Sequence, residues 1–132
     1  SWHTSRQEPL LASISTANSL TWEAYNEERL ASLRDAGKAV FINLTADWCI
    51  TCLANEQVVF TDSTLAIMRA KNITLLKGDW TNYDPQITKL LEKYKRGGVP
   101  LYLLFPAEIN KAPIILSQTL TPNGFSDAIN EI

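Results

Sequence analysis

A buried-looking strand that runs straight into Cys49-Ile50-Thr51-Cys52 is the feature that most restricts this chain. Over Lys38–Thr45, Val40, Ile42 and Leu44 fall on one face, and Phe41 and Asn43 on the other. So few polar residues interrupt the run that it predicts a central strand covered on both sides. Ala46-Asp47-Trp48 then leads into a helix predicted from Cys49 to about Phe60. At the first turn of a helix, unpaired N–H groups and the helix dipole favour an anion, so a thiol placed there is drawn toward thiolate. The offset of three residues lets the second sulfur close a disulfide with the first. Cys49 is then the exposed nucleophile and Cys52, one turn in, the sulfur that resolves a mixed disulfide.

Other uses of a C-x-x-C pair fit less well. A closed zinc site needs about four ligands, and the chain has two cysteines and a single distant histidine, His3. Covalent haem attachment needs a histidine after the second cysteine, where Leu53 stands. A purely structural bridge over so short a loop would constrain little. The 132 residues suit one domain able to bury a core, with 45% hydrophobic and 20% charged residues. A net charge of −2 and a pI near 5.3 argue against a nucleic-acid partner. No run approaches the roughly 18 apolar residues of a membrane span. Ser1-Trp2-His3 shows neither an initiator methionine nor a signal-peptide pattern, so the chain is expected to be a fragment or a processed product.

Residues 1–18 are polar and weakly patterned and read as a linker or arm, with a possible short strand at Leu10–Ile14; the domain proper is placed at 19–132. Trp22, Tyr25, Leu30, Leu33 and Ala36 predict a first helix with Thr21 as its cap and Gly37 as its stop. A short helix capped by Asp62 and Ser63 and a strand at Ile73–Lys77 follow. Asp84-Pro85 opens a helix carrying Ile87, Leu90, Leu91 and Tyr94 on one stripe, ended by Gly97-Gly98. Leu101–Phe105 and Ala112–Ser117 predict a hairpin around Pro106–Lys111, and Pro122 opens a last helix facing inward through Phe125, Ala128, Ile129 and Ile132. From Thr21 the order is α, β, α, α, β, α, β, β, α: one α/β domain with a mixed sheet flanked by helices on both faces.

Around the cysteines, Glu56 shares a helical face with Cys49, Leu53 and Phe60. Pointing inward, its carboxylate would disfavour a nearby thiolate and could take the proton that Cys52 must lose; the alternative is a solvated glutamate. Asn43 could approach the disulfide from below, although a core amide bonded to backbone is the simpler reading. Val99-Pro100 opens a strand, and the sequence does not decide whether its peptide bond is cis. Trp48, Trp80 and Tyr83 read as packing, with Trp48 placed to shape a docking surface beside Cys49.

Thr45-Ala46-Asp47-Trp48-Cys49-Ile50-Thr51-Cys52 with Asn55-Glu56 resembles the C-terminal thioredoxin-like domain of bacterial DsbD-type thiol:disulfide interchange proteins, including relatives linked to suppression of copper sensitivity. Gly37–Phe41, Gly78–Asn82 and Gly97-Gly98-Val99-Pro100-Leu101-Tyr102 extend the likeness, which covers roughly Thr21 to Ile132. The resemblance implies a thioredoxin fold and a protein-disulfide reductase domain. Such a domain is periplasmic, monomeric when isolated and part of an inner-membrane protein. It takes electrons from a membrane-embedded domain and passes them to a periplasmic acceptor domain or protein disulfides, with no cofactor or metal beyond the redox-active disulfide. It makes Cys49 and Cys52 the redox pair and Val99-Pro100 the cis-proline loop that pairs with an incoming strand. Glu56 becomes the acid that raises the nucleophile's pKa. Asn43 departs from the aspartate common in the family, which predicts a more acidic Cys49 here. Two alternatives remain: a free-standing periplasmic reductase serving cytochrome c assembly, and a Cu(I)-binding module using both thiolates.

Overall fold

The computed structural model describes residues 21–132. The arm at 1–18, with its possible strand at Leu10–Ile14, lies outside the described residues. Strands β1 (Glu23–Ala24), β2 (Ala39–Thr45), β3 (Ile73–Asp79), β4 (Leu101–Phe105) and β5 (Ile114–Ile115) form one mixed sheet in the order β1-β3-β2-β4-β5. The β1–β3 and β3–β2 pairs are parallel; β2–β4 and β4–β5 are antiparallel. Helices α1 (Glu27–Asp35), α2 (Ile50–Val58), α3 (Asp62–Ala70), α4 (Pro85–Lys93) and α5 (Pro122–Asn130) cover both faces, as the strand and helix order required.

The alternation along β2 divides the core. Val40, Ile42 and Leu44 pack with Leu76, Leu101 and Leu103 against Leu33 of α1 and Ile87, Leu90 and Leu91 of α4. Phe41 lies on the opposite face with Leu75, Tyr102 and Leu104, under Leu65 and Met68 of α3 and Phe125, Ala128 and Ile129 of α5. Burying each such side chain is worth roughly 1.5–3 kcal/mol. Gly78 lets α4 sit close to β3: a Cβ there would lie 2.6 Å from Leu44 Cδ2 and 3.2 Å from Ile87 Cδ1.

Several boundaries differ from the sequence reading. The first helix is capped by Asn26, whose side chain accepts from Arg29 N, and not by Thr21. Trp22–Tyr25 was absorbed by the sheet instead: β1 pairs with Leu76 and Lys77, and Tyr25 N donates to Lys77 O at 2.8 Å. Helix α2 occupies Ile50–Val58, with Cys49 as its cap, so it is shorter than the predicted stretch to Phe60. Helix α3 is capped by Thr61, one residue before the expected Asp62, and β3 runs on to Asp79. Helix α4 ends at Lys93, before the glycines, in a Schellman closure: Lys95 is left-handed (φ 57°), Lys95 N donates to Glu92 O and Arg96 N to Leu91 O. The last strand is only Ile114–Ile115, and Ile132 lies exposed, beyond the buried face of α5.

Candidate active site

The site forms where β2 gives way to α2. Cys49 is the N-cap residue of α2, and its Sγ accepts from Cys52 N at 3.1 Å. That contact is the local stabilisation expected for a thiolate at a helix start. The two cysteines are disulfide-bonded, with Cα atoms 5.2 Å apart. Cys49 is 7% exposed and Cys52 is fully buried, so an incoming sulfur meets Cys49 first. Cys49 is thus less open than the sequence reading supposed. Closing the disulfide passes two electrons to a partner disulfide. Attack on Cys49 by an incoming thiolate opens it to a mixed disulfide and frees the Cys52 thiolate; a second thiolate of the same donor then releases Cys49 and restores the dithiol. This is thiol–disulfide oxidoreductase chemistry.

Val99 packs against the small cluster of Ala46, Cys49 and Cys52. The Val99–Pro100 peptide bond is cis and Pro100 is buried. Gly98 stacks so closely on Trp80 that a Cβ would lie 3.3 Å from the indole. On the other side of the cysteines Trp48 is 49% exposed, its Nε1 donating to Thr81 O at 3.0 Å. Its ring contacts Trp80 and Tyr83, both at 5.9 Å between centroids. Trp80 Nε1 donates to Thr88 Oγ1 on α4. The three aromatic rings therefore pack, as expected, and leave Trp48 and Ile50, the chain neighbours of Cys49, exposed together with Tyr83 against the Trp48 ring. Thr81 organises that turn: its hydroxyl and backbone N–H bond Asp79 and hold the carboxyl below its usual pKa, while its Oγ1 accepts from Asp47 N.

Beneath α2 lies a polar row on the sheet. Glu56 is half-buried; its Oε2 accepts from Thr45 Oγ1 at 3.2 Å and lies 4.0 Å from Lys77 Nζ. Asn43, the register partner of both Lys77 and Tyr102, is 1% exposed, and neither its Oδ1 nor its Nδ2 has a hydrogen-bond partner. This corrects the reading of a core amide bonded to backbone. The neighbouring main chain of β2 is already committed to β3 on one side and β4 on the other. Asn55 is satisfied throughout: Nδ2 donates to Tyr102 Oη and Gln118 O, both at 2.8 Å, and Oδ1 accepts from Leu120 N. Burial pushes the Tyr102 phenol up to about 12, the Asn55 bond opposes the shift, and the charge of Glu56 adds to it.

The sequence reading missed Thr45, Lys77 and the structural part of Asn55. Their signal was present as polar residues at period two on otherwise apolar strand faces, Asn43 and Thr45 on β2 and Lys77 on β3.

Comparison with known proteins agrees with this geometry. The family model described as thioredoxin-like matches residues 21–107. The chain is 40% identical over 86 residues to thiol:disulfide interchange protein DsbD 1 of Pseudomonas aeruginosa, a match covering 65% of this chain and 14% of that protein. It is 30% identical over 88 residues to the DsbD protein of Ralstonia nicotianae, covering 67% of this chain and 14% of that protein. The chain thus spans about a seventh of the length of these curated relatives. The C-terminal domain of Neisseria meningitidis DsbD in its oxidised form superposes with a TM-score of 0.61 at 18% identity, covering 83% of this chain and 97% of that one, a likeness of fold. On its sequence match and the architecture that carries Cys49 and Cys52, the chain belongs to the thioredoxin-like family.

Proposed function

We propose that this domain reduces protein disulfides in the periplasm, taking electrons from a membrane-embedded partner domain of a larger protein and relaying them to an acceptor domain or protein disulfide. The observation that carries the reading is the Cys49–Cys52 disulfide capping α2, with one sulfur at the rim and the other buried. The interchange-protein names of its relatives support the same chemistry. Among the described residues no helix is long and apolar enough to cross a membrane, so the membrane-embedded step is assigned to another part of the assembly.

In the reduced state Cys49 thiolate attacks a partner disulfide and forms a mixed disulfide, releasing the partner's first thiolate. Cys52 then loses its proton and attacks Cys49 Sγ. The Cys49–Cys52 bond forms, the bond to the partner breaks, and two electrons have passed to the partner. Glu56, four residues after Cys52 and therefore one turn along the same side of α2, is the proton acceptor in this scheme. Trp48 and the Val99-Pro100 loop flank Cys49 and form the surface on which the partner segment lies.

The test is the reduction potential of the Cys49–Cys52 couple, by equilibration with a thiol buffer and trapping of free thiols. A potential near or below about −200 mV supports the donor role; one near about −120 mV, that of a strong oxidant, reverses the direction of electron flow and overturns it.

A further inference from the structure

Glu56 has two directions open to it. Outward, it lines a cleft of about 530 Å³ with Leu53, Gln57, Phe60, Thr61 and Asp62. Inward, it meets Thr45 Oγ1 at 3.2 Å and Lys77 at 4.0 Å. The lysine contact is long and both partners are partly solvated, with side chains 38% and 30% exposed, so it orients the carboxylate weakly. The threonine is different. It is buried at the end of β2, one residue before Ala46, which packs against both cysteines, and its donor is directed at one carboxylate oxygen. A hydrogen bond to a charged group is the stronger kind and fixes direction as well as distance.

We propose that Thr45 is a positioning residue for the thiol chemistry: its hydroxyl holds the Glu56 carboxylate against β2, on the inner side of α2 where Cys52 is buried. The inference rests on the thiol–disulfide reading of Cys49 and Cys52 and on Glu56 as proton acceptor. In the resolving step the Cys52 Sγ–H proton passes to the Glu56 carboxylate. The Cys52 thiolate attacks Cys49 Sγ, the Cys49–Cys52 bond forms, and the partner sulfur leaves as thiolate. Without the Thr45 donor, Glu56 turns into the cleft and the proton must leave by solvent. Among the described residues, the charged and titratable groups around Glu56 are Lys77 on β3, Tyr102 on β4 and Asp62 across the cleft, with Asp79 on β3 the register partner of Thr45; α2 carries no other charged residue.

The experiment mixes the fully reduced 132-residue chain with dithiobis(nitrobenzoate) and follows thionitrobenzoate release by stopped flow. The first release marks attack by Cys49 and the second marks attack by Cys52 on the mixed disulfide. For Thr45→Val we expect the second release to slow about tenfold near pH 6.5. The deficit should vanish above about pH 9, where solvent removes a thiol proton with an ordinary pKa of about 8.5 unaided. Thr45→Ser should restore the rate to within about twofold, and Thr45→Val should add nothing in a Glu56→Gln background. Thr45→Val matching the native chain, slowing equally at every pH, or adding fully to Glu56→Gln overturns the inference. A native chain that gives no second release instead overturns the thiol–disulfide reading itself.

Discussion

Asn55 Nδ2 donates to Tyr102 Oη at 2.8 Å, joining the helix that carries the cysteines to the strand that follows the cis-proline. The same amide group accepts from Leu120 N and donates to Gln118 O, so one buried side chain holds three segments together. Asn55→Ala leaves the buried Leu120 N and Tyr102 Oη without their partner, and each stranded buried group costs about 1–3 kcal/mol, while Gln118 O, on an exposed residue, can turn to water. Urea unfolding should show a loss of about 3 kcal/mol. Tyr102→Phe, which removes one bond and leaves the other two, should lose about 1 kcal/mol. Equal losses for the two variants would refute this division.

Asn43 places a neutral amide where an aspartate would sit beneath α2. Asn43→Asp introduces a buried carboxyl near the thiols, and its negative form would disfavour a second negative charge on Cys49. The Cys49 thiol should therefore titrate at higher pH in the variant, read from thiolate absorbance in the reduced chain. No rise would show that position 43 lies outside electrostatic reach of the sulfur.

Arg34 is buried and forms no ion pair among the described residues. Its guanidinium donates to Pro106 O, Glu108 O and Lys111 O and lies 4.9 Å over the Phe105 ring, clamping the β4–β5 connection. A lysine cannot reproduce this fork of donors. Arg34→Lys and Arg34→Met should both lower stability, by about 2–4 kcal/mol, with little effect on the thionitrobenzoate rates. Full retention of stability by Arg34→Lys would mean that charge, and not the planar fork, is what the loop requires.

Tyr102 and Tyr25 have phenols pushed up to about 12, chiefly by burial, against an ordinary 10. Above pH 10 the unfolded chain loses protons that the folded chain retains. Stability is therefore unaffected by these groups below pH 10 and falls as pH rises from 10 towards 12. Unfolding followed across that window should show the decline, and Tyr102→Phe should flatten part of it. A stability curve that is level to pH 12 in the native chain would contradict the burial of these phenols.

Much of the site was legible one-dimensionally because its signals are local. The strand before Cys49, the cap position of Cys49 and the three-residue offset to Cys52 depend on neighbours along the chain. The pattern Asp84-Pro85 also marks a helix start wherever it is placed, and here it does so. The ends of elements were less legible where distant partners compete. Trp22–Tyr25 carries a helical spacing, yet the open edge of β3 offers hydrogen bonds that draw it into extended form. Lys95 closes α4 in the left-handed conformation, a role that local propensity assigns to Gly97 and Gly98.

What the sequence alone determined was the chemistry and the architecture: two thiols at a helix start, in an α/β domain with a doubly covered sheet. Only the tertiary structure decided which polar groups meet beneath them. Thr45, Glu56 and Lys77 come from β2, α2 and β3, and Asn55 meets Tyr102 across 47 residues. Such meetings depend on sheet order and on how α2 lies over the sheet, and those are set by burial of both faces of β2 together, a balance over the whole core that no local pattern records.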